Sequence, residues 1–408
     1  MTTSTLDPST RRRSLGPGAA TALQAIILIT FMAASSAPSP IYRIYQQQWD
    51  LAPSTLTILF GVYAASLLVA LLVVGRISDH VGRKPTVLAA LIGVSLAMVL
   101  FLVAENAGTV LVARVVQGLA TGTATGALAA GLLDTARAHG GLINSVSPVA
   151  GMALGALGAS LLVEFAPIPM RLVFLLLLVA FIGQAFALTV LPETAARRPG
   201  AVASLRPRIG VPPRARRTLF LVGPAAVAAW ALGGFYLSLG PSLAQLVTGS
   251  DSALTGGLLV FTLTSSGAVA VFLLRSAAPR RLIRIGSSAL LGGLAITLLG
   301  VSMGSALLFY PGTVLAGIGF GCGFLGAMRT LIPLAEPHER AGLMSTFYIV
   351  CYLGNCVPAV IAGIAANSIG VPAATGYFGA AVILLALVAF LGTLLRQDTP
   401  STNPPPAA

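Results

Sequence analysis

The sequence predicts an all-α membrane protein of twelve transmembrane helices, folded as two pseudo-symmetric six-helix bundles. Three observations predict it: the chain is too apolar for water, its charge-free runs have the length of membrane spans, and its basic residues fall in alternate loops. Of 408 residues, 56% are hydrophobic and only 9% charged, with a mean hydropathy of +0.92. Too few polar residues are present to cover a water-solvated globule of this size, so lipid must be the solvent. The 45 glycines and 26 prolines suit closely packed, kinked helices, because neighbouring helices can satisfy freed backbone groups.

A helix crosses the hydrocarbon core with about 20 apolar residues. Charge-free runs at 14–42, 51–75, 85–104, 106–133 (interrupted only by Arg114), 141–163 and 172–192 supply spans 1 to 6. Runs at 218–250 and 252–274 supply spans 7 and 8. The runs 285–328 and 341–395 are each twice the length of one span, so each folds back once, near Met303-Gly304-Ser305 and near Asn367 to Pro372. Pro38, Pro40, Pro224 and Pro358 are the expected kink points.

With the N-terminus inside, 21 of the 24 Lys and Arg residues are cytoplasmic; Arg43 and Arg171 lie outside and Arg114 is embedded. The net charge of +13 is therefore topology, following the positive-inside rule, and not a polyanion site. Nucleic acid is excluded as a partner, and the bilayer is the expected one. The expected location is the inner (cytoplasmic) membrane, with both termini cytoplasmic. Arg11, Arg12 and Arg13 before an apolar stretch have the look of a secretory signal, but a retained first helix is what makes two matching sets of six. Five segments result: a cytoplasmic tail at 1–17, a bundle at 18–194, an Arg/Pro-rich linker at 195–217 expected to be flexible, a second bundle at 218–396, and a disordered tail at 397–408.

If the halves are related, features recur at a fixed offset. Arg83-Lys84 corresponds to Arg280-Arg281 at 197, Gly118 to Gly317 at 199, and Gly141-Leu142 to Gly342-Leu343 at 201. A duplicated six-helix unit accounts for all three.

The loop after span 2 reads Gly75-Arg76-Ile77-Ser78-Asp79-His80-Val81-Gly82-Arg83-Lys84-Pro85. It closely resembles motif A of the major facilitator superfamily, Gly-x-Leu-x-Asp-x-x-Gly-Arg-Lys, with Ile77 at the Leu position. Gly75 lets span 2 end against a neighbour, Gly82 permits a tight turn, and Asp79 can accept from Arg83 or a helix N-terminus. Gly75, Arg76, Asp79, Gly82, Arg83 and Lys84 are thus the candidate conformational clasp. In span 4, Arg114 followed by Gln117-Gly118 resembles the family's motif B. A cation inside a span marks a functional site, unless its long stem snorkels to the surface. Gly151, Gly155 and Gly158 in span 5 resemble motif C of drug and proton antiporters only loosely, because the expected Gly-Pro pair reads Gly155-Ala156; helix packing through small residues explains them equally. Leu191-Pro192-Glu193-Thr194 closes span 6 as in many members. The second-half copy of motif A is reduced to Arg275, Pro279, Arg280 and Arg281, with no acid.

The resemblance implies two halves rocking about a central cavity lined by spans 1, 4, 7 and 10. Candidate pathway residues are Gln24, Ser36, Arg114, Gln117, Gly118, Trp230, Tyr236, Thr313, Tyr352 and Asn355, since a polar group facing lipid is costly. None of the eleven acids lies deep in a span; Asp50 and Asp134, at span ends, are the candidates for proton coupling. Cys322, Cys351 and Cys356 have no metal-ligand spacing, and no metal, cofactor or ATP-binding loop is implied. The expected function is a secondary active transporter that exports amphiphilic or drug-like small molecules as a monomer, close to bacterial drug-efflux members. The alternative is an uptake facilitator or symporter for a sugar or other metabolite. A membrane enzyme or receptor finds no catalytic constellation to support it.

Overall fold

The structure, a computed structural model, describes residues 15–136, 138–336 and 338–395. The expected tails at 1–14 and 397–408 lie outside these residues. Span 1 comprises Pro17–Ser36 and Pro38–Gln48, followed by span 2 (Pro53–Val74), span 3 (Arg83–Leu102), span 4 (Ala107–Thr135), span 5 (Gly140–Phe165) and span 6 (Leu172–Leu188). The second set is span 7 (Pro213–Ser238 and Gly240–Thr248), span 8 (Ala253–Leu273), span 9 (Pro279–Met303), span 10 (Ala306–Leu331), span 11 (Arg340–Ile369) and span 12 (Val371–Leu395). Eleven of these are long and apolar enough to cross a membrane; span 6 is an apolar helix of 17 residues.

The helices start and stop where local chemistry directs. Pro53, Pro213 and Pro279 occupy first-turn positions, where a missing N–H costs nothing. The Asn106 side chain caps span 4 by accepting from the Thr109 N–H at 3.0 Å. The two long apolar runs fold back at Gly304 (φ +61°) and Gly370 (φ +80°), within the expected turns. Span 1 is interrupted at Ala37 because Pro38 and Pro40 lack N–H donors. Span 7 departs from expectation: Pro224 lies inside an uninterrupted helix, and the break falls at Leu239, beside Pro241. The breaks at 37 and 239 occupy equivalent places in the two halves. Pro358 also lies inside an uninterrupted helix.

Inside lipid, apolar burial gives helices little reason to associate, and close van der Waals contact takes over. The repeat shows this at matched sites. A Cβ on Gly118 of span 4 would lie 2.4 Å from the Tyr63 carbonyl oxygen of span 2, and one on Gly317 of span 10 would lie 2.3 Å from the Leu263 carbonyl oxygen of span 8. The offset of 199 therefore marks a repeated backbone contact. Gly155 seats span 5 on Ala33 of span 1 in the same way, at 2.1 Å, whereas nothing lies within 4 Å of Gly158. Packing accounts for the first of these span-5 glycines and not for the second.

The halves meet where span 5 packs on span 8 and span 2 on span 11. Basic residues concentrate at one end of the bundle, the basic end, and polar bridges between the halves cluster at the opposite, far end. Ser54 N donates to Asn367 Oδ1 (3.1 Å) and Asn367 Nδ2 to Ser54 Oγ (2.9 Å). Glu164 Oε2 accepts from Ser252 Oγ (2.9 Å) and Ala253 N (3.0 Å). Ser242 Oγ reaches Gln46 Oε1 at 3.4 Å, and Arg43 faces Asp251 at 3.9 Å.

The Arg/Pro-rich linker is held against both bundles rather than hanging free. Its first part meets the loop after span 2, with the Arg198 N–H on the His80 carbonyl at 2.8 Å and His80 Nδ1 on the Pro199 carbonyl at 3.0 Å. Its second part meets the start of span 11, with the Gly210 N–H on Thr346 Oγ1 at 3.2 Å. Arg214 then bridges Glu336 (2.8 Å) and Glu339. The Glu336 N–H and then Arg214 hold the Glu339 carboxyl below the usual carboxylate range.

Two tests follow from this packing. Gly118→Ala and Gly317→Ala should each lower thermal stability in detergent by about 1–3 kcal/mol through overpacking, while Gly158→Ala leaves it unchanged. A lowered carboxyl pKa keeps the linker contact intact above the unfolded value of about 4.3 and releases it as pH falls through the lowered one. Protease resistance of residues 205–216 should therefore be constant from about pH 8 to about pH 5 and fall only below about pH 4. Arg214→Gln should lose it across that range.

Candidate functional site

The motif after span 2 folds as a short helix, Ser78–Val81, and a turn at Gly82 whose φ of +108° disfavours any side chain. That turn delivers Arg83 and Lys84 to the start of span 3. Their backbone N–H groups donate to the Glu193 carboxylate at 2.8 and 3.0 Å, satisfying orphan donors of the helix's first turn. A Cβ on Gly82 would sit 2.6 Å from Glu193 Oε2, so the glycine also makes room for this cap. The Arg83 guanidinium donates to Asp79, to Ser78 Oγ (2.7 Å) and to Asp134 Oδ2 (3.4 Å). Asp134 in turn accepts from Thr194 Oγ1 at 3.0 Å. Lys84 Nζ donates to the carbonyls of Thr189 and Leu191. Gly75 lies against Gly126 of span 4, and Arg76 makes no ion pair among the described residues. The clasp thus ties spans 2, 3, 4 and 6 together, all within the first half.

Arg114 does not snorkel. Its side chain is fully buried, with Nε donating to the Tyr42 hydroxyl (2.6 Å) and Nη1 to the Ser35 carbonyl (3.1 Å) and Gln117 Oε1 (2.8 Å). Gln117 Nε2 donates onward to the Ala34 carbonyl at 2.7 Å. Nη2 has no hydrogen-bond partner, and the guanidinium carbon lies 5.2, 5.1 and 5.9 Å from the ring centres of Tyr42, Tyr63 and Phe101. A charge at the centre of a span costs about 3 kcal/mol on insertion scales. Charge-assisted hydrogen bonds and three ring faces, each contributing up to about 2 kcal/mol when desolvated, are what offset it.

In the second half, Thr313 stands at the position corresponding to Arg114, and its hydroxyl meets the Tyr236 hydroxyl at 3.2 Å, both buried. Toward the other half, Trp230 packs edge-on against Tyr352 (4.6 Å between centroids) and tilted against Phe324 (5.4 Å), all three half-buried. Asn355 Nδ2 donates to the Trp230 carbonyl at 2.9 Å. Tyr352 packs on the cluster of Tyr63, Ala64 and Leu67 of span 2, so the aromatic group of the second half meets the first half on the helix whose Tyr63 also faces Arg114.

The remaining candidates sit apart from these groups. Gln24 is buried between spans 1 and 4, its Nε2 on Thr135 Oγ1 at 3.4 Å, and Ser36 Oγ donates to the Met152 carbonyl at 2.8 Å, joining spans 1 and 5. Asp50 is exposed at the far end with φ +49°, and Asp134 belongs to the charged network at the basic end. Three functional neighbours had no assigned role in the sequence: Tyr42, Tyr63 and Glu193. At the basic end a crevice of about 240 Å³ opens between the halves, lined by His139 and Ser145 of the first and Arg275 and Arg329 of the second.

Two six-helix bundles that bridge at one end, with polar and aromatic groups in the boundary between them, define the class: a polytopic membrane transporter. The chain matches the Major Facilitator Superfamily over residues 25–357 and belongs to that family. No curated protein matches it in sequence. Among solved structures it is similar to a variant of the nucleoside transporter NupG (TM-score 0.70, 10% identity, covering 91% of this chain and 98% of that one). It is also similar to a bacterial homologue of the human lysosomal transporter Spinster, inward-facing and unoccupied (0.69, 15%, 95% and 98%), and to the human organic anion transporter MFSD10 (0.64, 17%, 94% and 100%). At these identities the likeness concerns the fold.

Removing the Arg114 acceptor should be costly: Tyr42→Phe leaves Nε buried and unpaired, lowering thermal stability in detergent by about 1–3 kcal/mol. Gln24→Leu, whose partner is a neutral hydroxyl at 3.4 Å, should cost less than half as much.

Proposed function

We propose that the chain is a secondary active transporter of the cytoplasmic membrane that exports amphiphilic or drug-like small molecules by alternating access. The observation that carries the cargo reading is the half-buried group of Trp230, Tyr352 and Phe324 at the boundary between the halves, flat apolar faces suited to a planar or greasy solute. The hydroxyl pair of Tyr236 and Thr313 beside them supports the second reading, uptake of a sugar or other polar metabolite. With the basic end cytoplasmic, as the distribution of Arg and Lys favours, the far-end bridges close the outer side, and the crevice between His139 and Arg329 opens inward.

Opening outward then requires the bridges of Ser54 to Asn367 and Glu164 to Ser252 to part, while the basic end closes. The network of Asp79, Arg83, Asp134 and Glu193 keeps the ends of spans 2, 3, 4 and 6 moving as one block, the role we assign to the clasp. Asp134 is the better placed of the two acids considered for proton coupling, since it accepts from both Arg83 and Thr194 within the charged network.

Three measurements test the mechanism and the cargo. With the native cysteines replaced, oxidising a Ser54→Cys/Asn367→Cys pair should abolish transport and reduction should restore it; full activity of the oxidised pair removes alternating access through this gate. Asp79→Asn should impair transport at normal expression. A deletion strain should become hypersensitive to members of an amphiphile panel, whereas unchanged sensitivity together with lost growth on one carbon source would overturn export in favour of uptake.

A further inference from the structure

A groove of about 1230 Å³ has no part in transport as described above. It runs down the outer face of span 9, walled by span 10 on one side and by Phe390 of span 12 on the other. Its mouth, at the basic end, holds Arg280, Arg281 and Arg284; below them its floor turns apolar through Ile285, Ala289 and Gly292, with Leu315 and Ile318 as one wall. The floor is open at Gly292, where an added Cβ would meet nothing within 4 Å.

The repeat makes the charge at this mouth conspicuous. In the first half, Arg83 and Lys84 at the start of span 3 are matched by Asp79, Asp134 and Glu193. At an offset of 197, Arg280 and Arg281 start span 9 with no acid in its first turn. Arg280 turns toward span 12, donating to the Thr393 carbonyl at 3.0 Å. Arg281 and Arg284 are exposed at the groove's mouth and form no ion pair among the described residues.

A pair of guanidinium groups with no ion pair among the described residues, above an apolar trough on a face turned outward from the bundle, fits one kind of occupant. We propose that this groove binds an anionic phospholipid of the leaflet at the basic end. The phosphate sits on Arg281 and Arg284, and an acyl chain lies along Gly292 between the wall of Leu315 and Ile318 and that of Phe390. Basic pockets between transmembrane helices recognise anionic headgroups in this way, and a guanidinium fork suits phosphate better than a point charge does. Lipid here supplies the counter-charge that Asp79, Asp134 and Glu193 supply in the other half.

Native mass spectrometry of the full chain, with phosphatidylglycerol, phosphatidylethanolamine and soluble glycerol phosphate as probes, tests this directly. Phosphatidylglycerol should be retained in about tenfold preference over phosphatidylethanolamine, and Arg281→Gln/Arg284→Gln should erase that preference. Gly292→Leu fills the trough without changing charge and should lower phosphatidylglycerol retention, which decides the matter even if the arginine variant fails to reach the membrane. Glycerol phosphate should not compete. Equal retention of the two lipids, wild-type retention by both variants, or displacement by glycerol phosphate, which marks a headgroup-only anion site, would each overturn the proposal.

Discussion

Helices in a bilayer gain little by hiding apolar side chains from one another, because lipid is as apolar as they are. Association instead depends on backbones coming close enough for dispersion contact, and here that closeness is set by glycine. Gly118 of span 4 against span 2, and Gly317 of span 10 against span 8, bring pairs of helices so near that a methyl group would collide with a carbonyl. The Gly118 contact sets the distance between spans 4 and 2, and so places Tyr63 beside Arg114. A wider span 2 to span 4 distance would withdraw that ring, and with it part of what makes a buried cation tolerable. The site is in this sense a product of the packing.

The two halves share that packing and differ in their charge. The first half encloses a buried cation in span 4 and pairs Arg83 at the basic end with its own carboxylates. The second half places a hydroxyl pair where the cation would be, and leaves Arg281 and Arg284 at the groove mouth without an ion pair among the described residues. Duplication preserved the glycine contacts, which both copies need to pack. Charge was free to diverge, because only one copy has to carry each polar task. The same asymmetry explains why the clasp closes within spans 2, 3, 4 and 6 and not symmetrically across the molecule.

Much of the architecture was legible because hydropathy and turn chemistry are local. The charge-free runs, the reversals near Gly304 and Gly370, and the repeat of Gly118 at Gly317 were all readable. Arg114 and Asp79 stood out because a charge in or beside a span needs a reason. Their partners did not stand out, for a physical reason: Tyr42 lies 72 residues from Arg114, and Glu193 lies 110 from Arg83. Nothing in a tyrosine within an apolar run marks it as the acceptor for a distant guanidinium. The linker's contacts were illegible for a similar cause, since prolines and like charges suggest a free chain, whereas Gly210 and Arg214 find partners on span 11 and the loop before it. The break in span 7 beside Pro241, in place of Pro224, shows that a proline inside a well-packed helix need not interrupt it.

The interruptions at Ala37 and Leu239 have a consequence for where bending takes place. At about 1.5 Å per residue, the 20 residues from Pro17 to Ser36 cover about 30 Å, the full hydrocarbon thickness. The segment Pro38–Gln48 continues beyond that length at the far end, where it meets its counterpart Gly240–Thr248 through Gln46 and Ser242. The Ala34 carbonyl, which Pro38 leaves without its helical donor, accepts instead from Gln117 Nε2 of span 4. A pair of jaws hinged at these breaks flexes where a neighbouring helix already holds the freed carbonyl, at a fraction of the cost of stranding it in oil.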